Sequence, residues 1–170
     1  MMCIAKAITS GYFPLGAALI NERIATAFES DSSGKAAIGH GYTYSGHPVG
    51  AAAALAAIAE TRRLDVVTNA AARGTQLYDG MVSLAGQYPV VGDVRGGHGL
   101  MTAMELVADQ ETKAPIDGKL AIKMQKAAYQ AGALIRVSGP NVILSPSLVI
   151  EEADIDIALN AVEEGLKAIS

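Results

Sequence analysis

The chain has 170 residues, of which 51% are hydrophobic and 18% charged, a composition typical of a folded globular protein. Its formal net charge of −4 and its scattered basic residues argue against a nucleic-acid-binding surface, so we expect no nucleic-acid partner. The longest apolar run, Pro48–Ala59, is shorter than the roughly 20 residues of a transmembrane helix, so we expect no membrane partner.

The chain contains one cysteine, Cys3, close to its start. A single cysteine cannot form an intramolecular disulfide, which favours an intracellular, cytoplasmic protein. A free cysteine most often behaves as a small apolar side chain. We therefore expect Cys3 to be packed rather than to act as a nucleophile.

The first 41 residues alternate short apolar segments with segments rich in small and polar residues. A short apolar run bounded by polar residues indicates a buried strand. Asn21 suits the N-cap of a helix, because its side chain can accept a hydrogen bond from the first helical turn. In chain order we predict the end of a strand at residues 2–4, a loop at 6–14, a buried strand at 15–20, a helix at 21–28 and a loop at 30–41.

The clearest predicted helix begins at Pro48 and ends near Arg63. Proline suits the first helical turn, where its missing N–H would have no partner within the helix. Gly50 and Ala54 lie four residues apart on one face of this helix. Because both residues are small, we expect another part of the backbone to approach this face closely.

Three further helices are predicted in the remainder of the chain. Apolar residues near the helical period indicate a helix over residues 65–85, and a second helix is expected at 119–131. The last helix, at 152–168, has acidic residues in its first turn, where the helix dipole favours them. The apolar residues that suggest the first of these helices are Leu64, Val67, Ala71, Leu77, Met81 and Leu84.

Short segments rich in Val, Ile and Leu, broken by Gly, Pro and Asn, carry strand signals in the second part of the chain. We predict that they share one small sheet with helices packed on it. The chain therefore divides near residue 60 into a loop-rich part of a larger α/β unit, residues 1–60, and an α+β domain, residues 61–170. The strand segments lie near Val94, Met104, Ile135 and Ile143.

Lys6 is the first candidate for chemistry. A lysine in a loop is usually a solvated surface residue. Here, however, Ile4, Ala5 and Ala7 surround it with apolar side chains. An amine that such neighbours remove from water becomes neutral and can form a Schiff base with a carbonyl cofactor.

Other chemistries find little support in the sequence. There is no Walker A sequence, no complete GxGxxG and no nucleophile-elbow motif, although composition alone leaves a Ser–His–Asp triad open.

The segment Gly96–Gly99 is interpreted as a tight turn rather than a phosphate-binding loop. Arg95 is expected to brace the loop after its strand. His47, between Gly46 and Pro48, is interpreted as structural. No metal site is expected, because His40, His47 and His98 have no metal-ligand spacing with Cys3 or the carboxylates.

Four blocks of sequence resemble class III (omega-type) aminotransferases, in the same order and with approximately the same spacing. The first is "AKAITSGYFPLGA" at Ala5–Ala17, similar to the lysine segment of that family, and the second is "HGYTYSGHP" at His40–Pro48. The blocks at Val94–Leu100 and Leu134–Ile150 are similar to its C-terminal domain. One departure is Ala7, where the family usually has glycine.

The resemblance implies an α/β fold of the fold-type I class of pyridoxal-phosphate (PLP) transferases. Residues 1–60 would be the C-terminal remnant of the large PLP-binding domain, and 61–170 the small α+β C-terminal domain. The rest of the large domain would precede Met1. The implied activity moves an amino group from an amine or amino acid to pyruvate or another 2-oxo acid, in a homodimer that uses pyridoxal 5'-phosphate.

The resemblance also implies roles for five residues. Lys6 would form the Schiff base with PLP and then move a proton between the substrate α carbon and the cofactor's C4′. Thr43 would bind the cofactor phosphate of the neighbouring subunit, with Tyr42 beside it. Arg136 would receive the substrate carboxylate, and Tyr12 would line the substrate pocket.

Two alternatives stay open at this point. The chain could be a truncated, inactive fragment that persists only as a folded or dimerising module, because the family's aspartate for the pyridine nitrogen and its Gly-Ser phosphate loop are absent from it. A PLP-dependent racemase or aminomutase on the same scaffold would share every motif quoted. The sequence does not identify the amino donor.

Overall fold

The computed structural model describes residues 1–37, 39 and 41–170. The backbone contacts cluster in two units, Met1–Leu64 and Asp65–Ser170. His40, which opens the second family-like block and belongs to the histidines considered above, lies outside the described residues. Among the described helices, none combines the length and the apolar character that a membrane span requires.

The first unit contains a two-stranded antiparallel ribbon, a short 3-10 turn and two helices. Strand β1, Met2–Ala5, pairs with β2, Gly16–Leu19, and the turn Lys6–Thr9 follows β1 directly. Helix α1 spans Glu22–Glu29, and α2 spans Pro48–Arg63. The predicted strands and helices are therefore confirmed, whereas the predicted loop at 6–14 begins with a 3-10 turn.

The predicted burial in this ribbon is wrong. All four residues of β2 are exposed, and so is Cys3 on β1. A ribbon of two strands removes apolar side chains from water only when another layer packs on it. Among the described residues no such layer covers β2, so its apolar character does not lead to burial here.

Both helices of the first unit begin at the residues that the sequence indicates. Asn21 caps α1, with its Oδ1 accepting a hydrogen bond from the Ile24 N–H at 3.1 Å. Pro48 is the first residue of α2. The two buried residues of α2 are Gly50 and Ala54, the small pair on one face.

The second unit contains a four-stranded antiparallel sheet in the order β3-β4-β6-β5. The predicted sharing of one sheet by the four strand segments is confirmed. Each strand is short, and a hairpin connects β5 to β6. The strands are β3, Val91–Arg95; β4, Thr102–Leu106; β5, Arg136–Ser138; and β6, Asn141–Leu144.

Three helices enclose a core against one face of this sheet: α3 at Val66–Ala85, α4 at Gly118–Gln130 and α5 at Glu152–Lys167. All three match the predicted helices to within two residues. The acidic first turn of α5 is confirmed, with Glu152 and Asp154 in it. The core is formed by fully buried apolar side chains that include Leu77, Met81, Met104, Met124, Val142, Ile155 and Leu166.

The buried face of α3 differs from the predicted one. Leu64 and Val67 are exposed, whereas Val66 is buried. Asp65 adopts a left-handed backbone conformation, with φ of 46°, which ends one helix and starts the next. Leu64 therefore belongs to the end of α2, and the apolar residues on its two sides do not form a single helical stripe.

Candidate functional site

Lys6 lies where β1 ends and the 3-10 turn begins. Its backbone φ of 54° falls in the left-handed region, which residues with a side chain rarely adopt and which is often found at functional sites. Its side chain is exposed. Together with Phe13–Gly16 the turn lines an open pocket of about 450 Å³, so Lys6 lies beside a depression that could admit a small molecule.

The loop that follows Lys6 is fastened by a buried hydroxyl group. Thr9 is only 1% exposed, and its Oγ1 donates a hydrogen bond of 2.6 Å to the carbonyl of Phe13. The backbone N–H of Ser10 donates to Ala7, and that of Tyr12 donates to Thr9. Sequence reasoning did not single out Thr9, because its burial results from the path of the loop and has no local signature.

The ring of Phe13 connects this loop to the start of α2. Its centroid lies 5.3 Å from that of His47, and the His47 ring also contacts Tyr44, with centroids 5.7 Å apart. A Cβ atom added at Gly50 would lie 2.9 Å from Phe13 Cε1, so the ring occupies the space that glycine leaves. The close neighbour of Gly50 is thus an aromatic side chain rather than the backbone that we expected.

His47 has the structural role that its position indicates. Its Nδ1 accepts a hydrogen bond of 3.2 Å from the Val49 N–H and so caps α2. Through its contacts with Phe13 and Tyr44, the same ring joins the lysine loop to the turn that carries Thr43. Phe13 also was not identified from the sequence, because its partners are more than 30 residues away.

Thr43 lies in an exposed turn whose hydrogen bonds join the residues on either side of it, Tyr42 and Ser45. The Tyr42 N–H donates to Ser45 Oγ at 2.9 Å, and the Ser45 N–H donates to the Tyr42 carbonyl at 2.9 Å. Thr43 forms no hydrogen bond to any of the described residues. Within the described part of the chain its hydroxyl and N–H groups are therefore available to bind an anion, and the hydrogen bonds of the turn do not involve the Thr43 side chain.

Tyr12 is 90% exposed on the lysine loop, between Gly11 and Phe13. The structure thus places Lys6, Tyr12, Tyr42 and Thr43 in the first unit, on two loops that the Phe13–His47 contact connects. An exposed aromatic ring beside a cavity can contact a bound ligand. The remaining candidate, Arg136, belongs to the second unit.

One face of the second unit's sheet is packed on the core, and the other face is open. Residues paired across strands share a face, so the register defines two cross-strand rows on the open face. One row has an arginine at each edge, and the other row is acidic and polar. The first row is Arg95, Ala103, Ile143 and Arg136, and the second row is Asp93, Glu105, Asn141 and Ser138.

Arg95, at one edge of the open face, is fully engaged. Its Nη1 donates to Glu105 Oε2 at 2.7 Å and to Asp93 Oδ2 at 2.8 Å, and its Nη2 donates to Asn141 Oδ1 at 2.8 Å. The hydrogen bond to Glu105, assisted by that to Asp93, raises the pKa of Arg95 above its ordinary value. Arg95 therefore bridges β3, β4 and β6, and the expected bracing of the following loop is wrong.

Arg136, at the other edge, differs from Arg95 in this respect. It is exposed, and among the described residues no carboxylate lies within 4.0 Å of its guanidinium and no hydrogen bond engages it. It borders a pocket of about 410 Å³ formed by residues 132–136 and 143–146 and by the first turns of α5. A guanidinium with free donors beside a cavity is suited to bind a carboxylate through two parallel hydrogen bonds.

The glycine-rich block after β3 belongs to the bend that connects β3 to β4, rather than to the tight turn that we predicted. Gly96, Gly97 and Gly99 all have positive φ values. Gly74 of α3 packs directly on this bend, because a Cβ atom there would overlap the carbonyl group of Gly99. The block therefore serves to bring a helix and a bend into contact.

Among the described residues no cluster of three or more His, Cys, Asp or Glu side chains could hold a metal ion.

Comparison with known proteins relates this geometry to a family. The family model described as "Aminotransferase class-III" matches residues 1–166. An uncharacterized aminotransferase, y4uB, from Sinorhizobium fredii is 35% identical over 173 residues, which cover 99% of this chain and 37% of that protein. The taurine–pyruvate aminotransferase of Bilophila wadsworthia is 33% identical over 177 residues, covering 99% of this chain and 39% of that protein.

A solved structure shows the same similarity. An amine transaminase from an uncultivated Pseudomonas species, in its PLP-bound form, superposes with a TM-score of 0.91 at 42% identity, over 99% of this chain and 38% of that chain. The chain thus spans less than two fifths of the length of these relatives. The match over residues 1–166 and the similarity of fold together show that the chain belongs to the class III aminotransferases, a family of PLP-dependent transferases.

Proposed function

We propose that the protein containing this chain is a PLP-dependent aminotransferase that moves an amino group from an amine or amino acid to pyruvate or another 2-oxo acid. The observation that carries the proposal is Lys6, held in a left-handed conformation beside a pocket within the segment that resembles the family's lysine block. Relatives of similar identity are named for taurine, diaminobutyrate and gamma-aminobutyrate. We therefore propose only the chemical class of the amino donor, an amine or an amino acid.

The division of the chain supports a two-domain arrangement. We propose that residues 1–60 complete the large cofactor-binding domain and that residues 61–170 form the small C-terminal domain. The observed units meet between Leu64 and Asp65, close to the proposed boundary. We further propose a cytoplasmic homodimer without nucleic-acid or membrane partners, in keeping with the net charge of −4.

The described residues fit the cofactor. PLP requires an amine for its carbonyl carbon and donors for its phosphate. Lys6 would supply the amine to one cofactor, and Thr43 would supply donors to the phosphate of the neighbouring subunit's cofactor. When bound, the cofactor supplies an electron sink for the substrate carbanion. In this proposal Lys6 Nζ holds the cofactor and afterwards moves the proton at the substrate α carbon.

The other residues bind and orient. Thr43 donates its hydroxyl and N–H hydrogens to the phosphate of the neighbouring subunit's cofactor, and Tyr42 lies beside it. Arg136 forms a bidentate contact with the substrate carboxylate, for which its unengaged guanidinium is suited. Tyr12 contributes an exposed ring to the substrate pocket.

The proposed role of Lys6 can be tested by chemical trapping. After borohydride reduction of the full-length protein loaded with PLP, peptide mass analysis is expected to find the pyridoxyl group on Lys6. Lys35 and Lys113 serve as internal controls, because both are exposed lysines in the same chain. A pyridoxyl group found mainly on either of them would refute the assignment.

The 170-residue chain by itself is expected to bind PLP weakly and to show no appreciable transfer of amino groups to pyruvate. The reason is that Lys6, all of β2 and every residue of β1 except Ile4 are exposed, so the described residues do not enclose the amine together with a bound cofactor. Titration with PLP, followed by the absorbance of the lysine adduct, and an alanine assay with pyruvate check this. Tight stoichiometric binding with turnover would show that these residues suffice.

The same assay distinguishes the alternatives for the full-length protein. An aminotransferase forms alanine from pyruvate at the expense of the amino donor. A racemase or aminomutase would convert a single amino acid without any 2-oxo acid. A protein that acts only as a folded or dimerising module would do neither.

A further inference from the structure

We infer that Thr9 is a positioning residue for Lys6, acting through the hydrogen bond from its buried hydroxyl to the carbonyl of Phe13. The inference rests on the proposed function, because it assigns a role to Thr9 only if Lys6 carries the cofactor. Thr9 touches neither cofactor nor substrate in this proposal. It acts on the backbone that presents Lys6.

The loop that presents Lys6 has an unusual backbone conformation. Lys6 and Ser10, with φ of 54° and 49°, lie on either side of the Ala7–Thr9 segment in the left-handed region. Residues with side chains hold this conformation at a cost, and they retain it only where the surrounding structure enforces it. The loop must therefore contain contacts that prevent both residues from relaxing to ordinary φ values.

Contacts at the base and in the middle of the loop hold this conformation. At its base the loop is closed by the backbone pairing of Ala5 with Gly16. In its middle, Thr9 Oγ1 donates to the Phe13 carbonyl at 2.6 Å and so bridges the turn at Ser10–Tyr12. Thr9 is the one buried residue of the 3-10 turn. Its buried hydroxyl thus links the 3-10 turn to Phe13 on the other side of the loop.

Phe13, whose carbonyl accepts this hydrogen bond, is itself held in place by α2. Its ring lies against Gly50 and His47 at the start of α2, so its position is fixed by the helix. The Thr9 hydroxyl connects the lysine turn to this fixed point. Without the hydroxyl, the turn would keep its apolar contacts but lose the bond that sets its distance from Phe13. Lys6 could then relax, and its amine would move.

The test compares Thr9→Val, which keeps the side-chain shape and removes the hydroxyl, with Thr9→Ser, which keeps the hydroxyl. In the full-length protein, Thr9→Val is expected to lower kcat about tenfold, with KM for the amino donor changed less than about twofold, because a small misplacement of a reacting group mainly slows the chemical step. Thr9→Ser should restore kcat to within about threefold of the original protein. The rate at which an amine-directed acylating reagent modifies Lys6 in the cofactor-free protein should change in Thr9→Val and recover in Thr9→Ser.

Thr75→Val is the matched control, because Thr75 Oγ1 also donates to a carbonyl four residues away but is exposed on α3. It should leave both readouts unchanged. Gly50→Ala provides a second route if Thr9→Val does not fold. The added methyl group displaces the Phe13 ring while Thr9 remains, so the same readouts should move in the same direction.

Three outcomes have distinct meanings. If Thr9→Val lowers only the melting temperature, while kcat and Lys6 reactivity stay as in the original protein, Thr9 is structural and the inference is wrong. If Thr9→Ser behaves like Thr9→Val, the hydroxyl is not responsible and the inference is also wrong. If borohydride trapping fails to label Lys6 in the unmodified protein, the proposed function itself fails, independently of Thr9.

Discussion

Arg136→Ala is expected to lower kcat/KM for amino acids and 2-oxo acids by about 100-fold, equivalent to about 3 kcal/mol, through loss of a charge-assisted bidentate contact. Amines without a carboxylate should be affected less than about threefold, because they do not use that contact. Steady-state kinetics of the full-length protein with one amino acid and one amine of similar size would measure both values. The selectivity between the two substrates, rather than the absolute rate, is the informative quantity.

Two variants serve as controls for Arg136→Ala. Arg136→Lys keeps the positive charge but loses the planar fork, so an intermediate loss for carboxylates is expected. Arg95→Ala removes the other arginine of the same cross-strand row. Because Arg95 is engaged by Glu105, Asp93 and Asn141, its loss should weaken the sheet without changing selectivity.

The stability of Arg136→Ala also carries information. The guanidinium is exposed and unengaged among the described residues, so its removal should leave the unfolding transition nearly unchanged. An equal loss of kcat/KM for amines and carboxylates, or a fall in stability similar to that of Arg95→Ala, would mean that Arg136 is structural.

Local patterns were sufficient to predict most of the secondary structure. Asn21 and Pro48 start helices for reasons contained within one helical turn, and both predictions are confirmed. Short segments rich in Val, Ile and Leu and broken by Gly, Pro and Asn likewise indicated the four strands of the second unit. Burial in the ribbon could not be predicted in the same way, because the exposure of β2 depends on which layers cover it and not on its own composition.

The candidate site shows the same distinction. The roles of Lys6, Thr43 and Arg136 came from family resemblance, and they remain proposals that the geometry supports. The hydrogen bonds of Arg95 join residues as far apart as 46 positions, and the Phe13 ring meets a helix that begins 35 residues later. Such contacts depend on the complete fold, so no local pattern contains them.

The packing of α3 on the glycine-rich bend leads to the largest expected effect on stability. Gly74→Ala is expected to lower the free energy of unfolding by about 3 kcal/mol, a large overpacking penalty. A Cβ atom at residue 74 would overlap the backbone carbonyl of Gly99, and backbone atoms can move only if the whole bend moves. Gly99 itself has a φ of 76°, which restricts the ways in which the bend can adjust. Urea denaturation of the full-length protein, followed by circular dichroism, would measure the change.

Gly80→Ala, in the same helix, provides the control because it makes the same substitution with the same gain in helix propensity, about 1 kcal/mol. There the added methyl group would meet the end of the Leu159 side chain, which can rotate away. Gly80→Ala should therefore cost less than about 1 kcal/mol, since a flexible side chain relieves overpacking more readily than a backbone carbonyl does. If the two variants unfold at the same urea concentration, the contact between Gly74 and Gly99 does not limit the stability of this unit, and the close approach of helix and bend is not what the glycine-rich block provides.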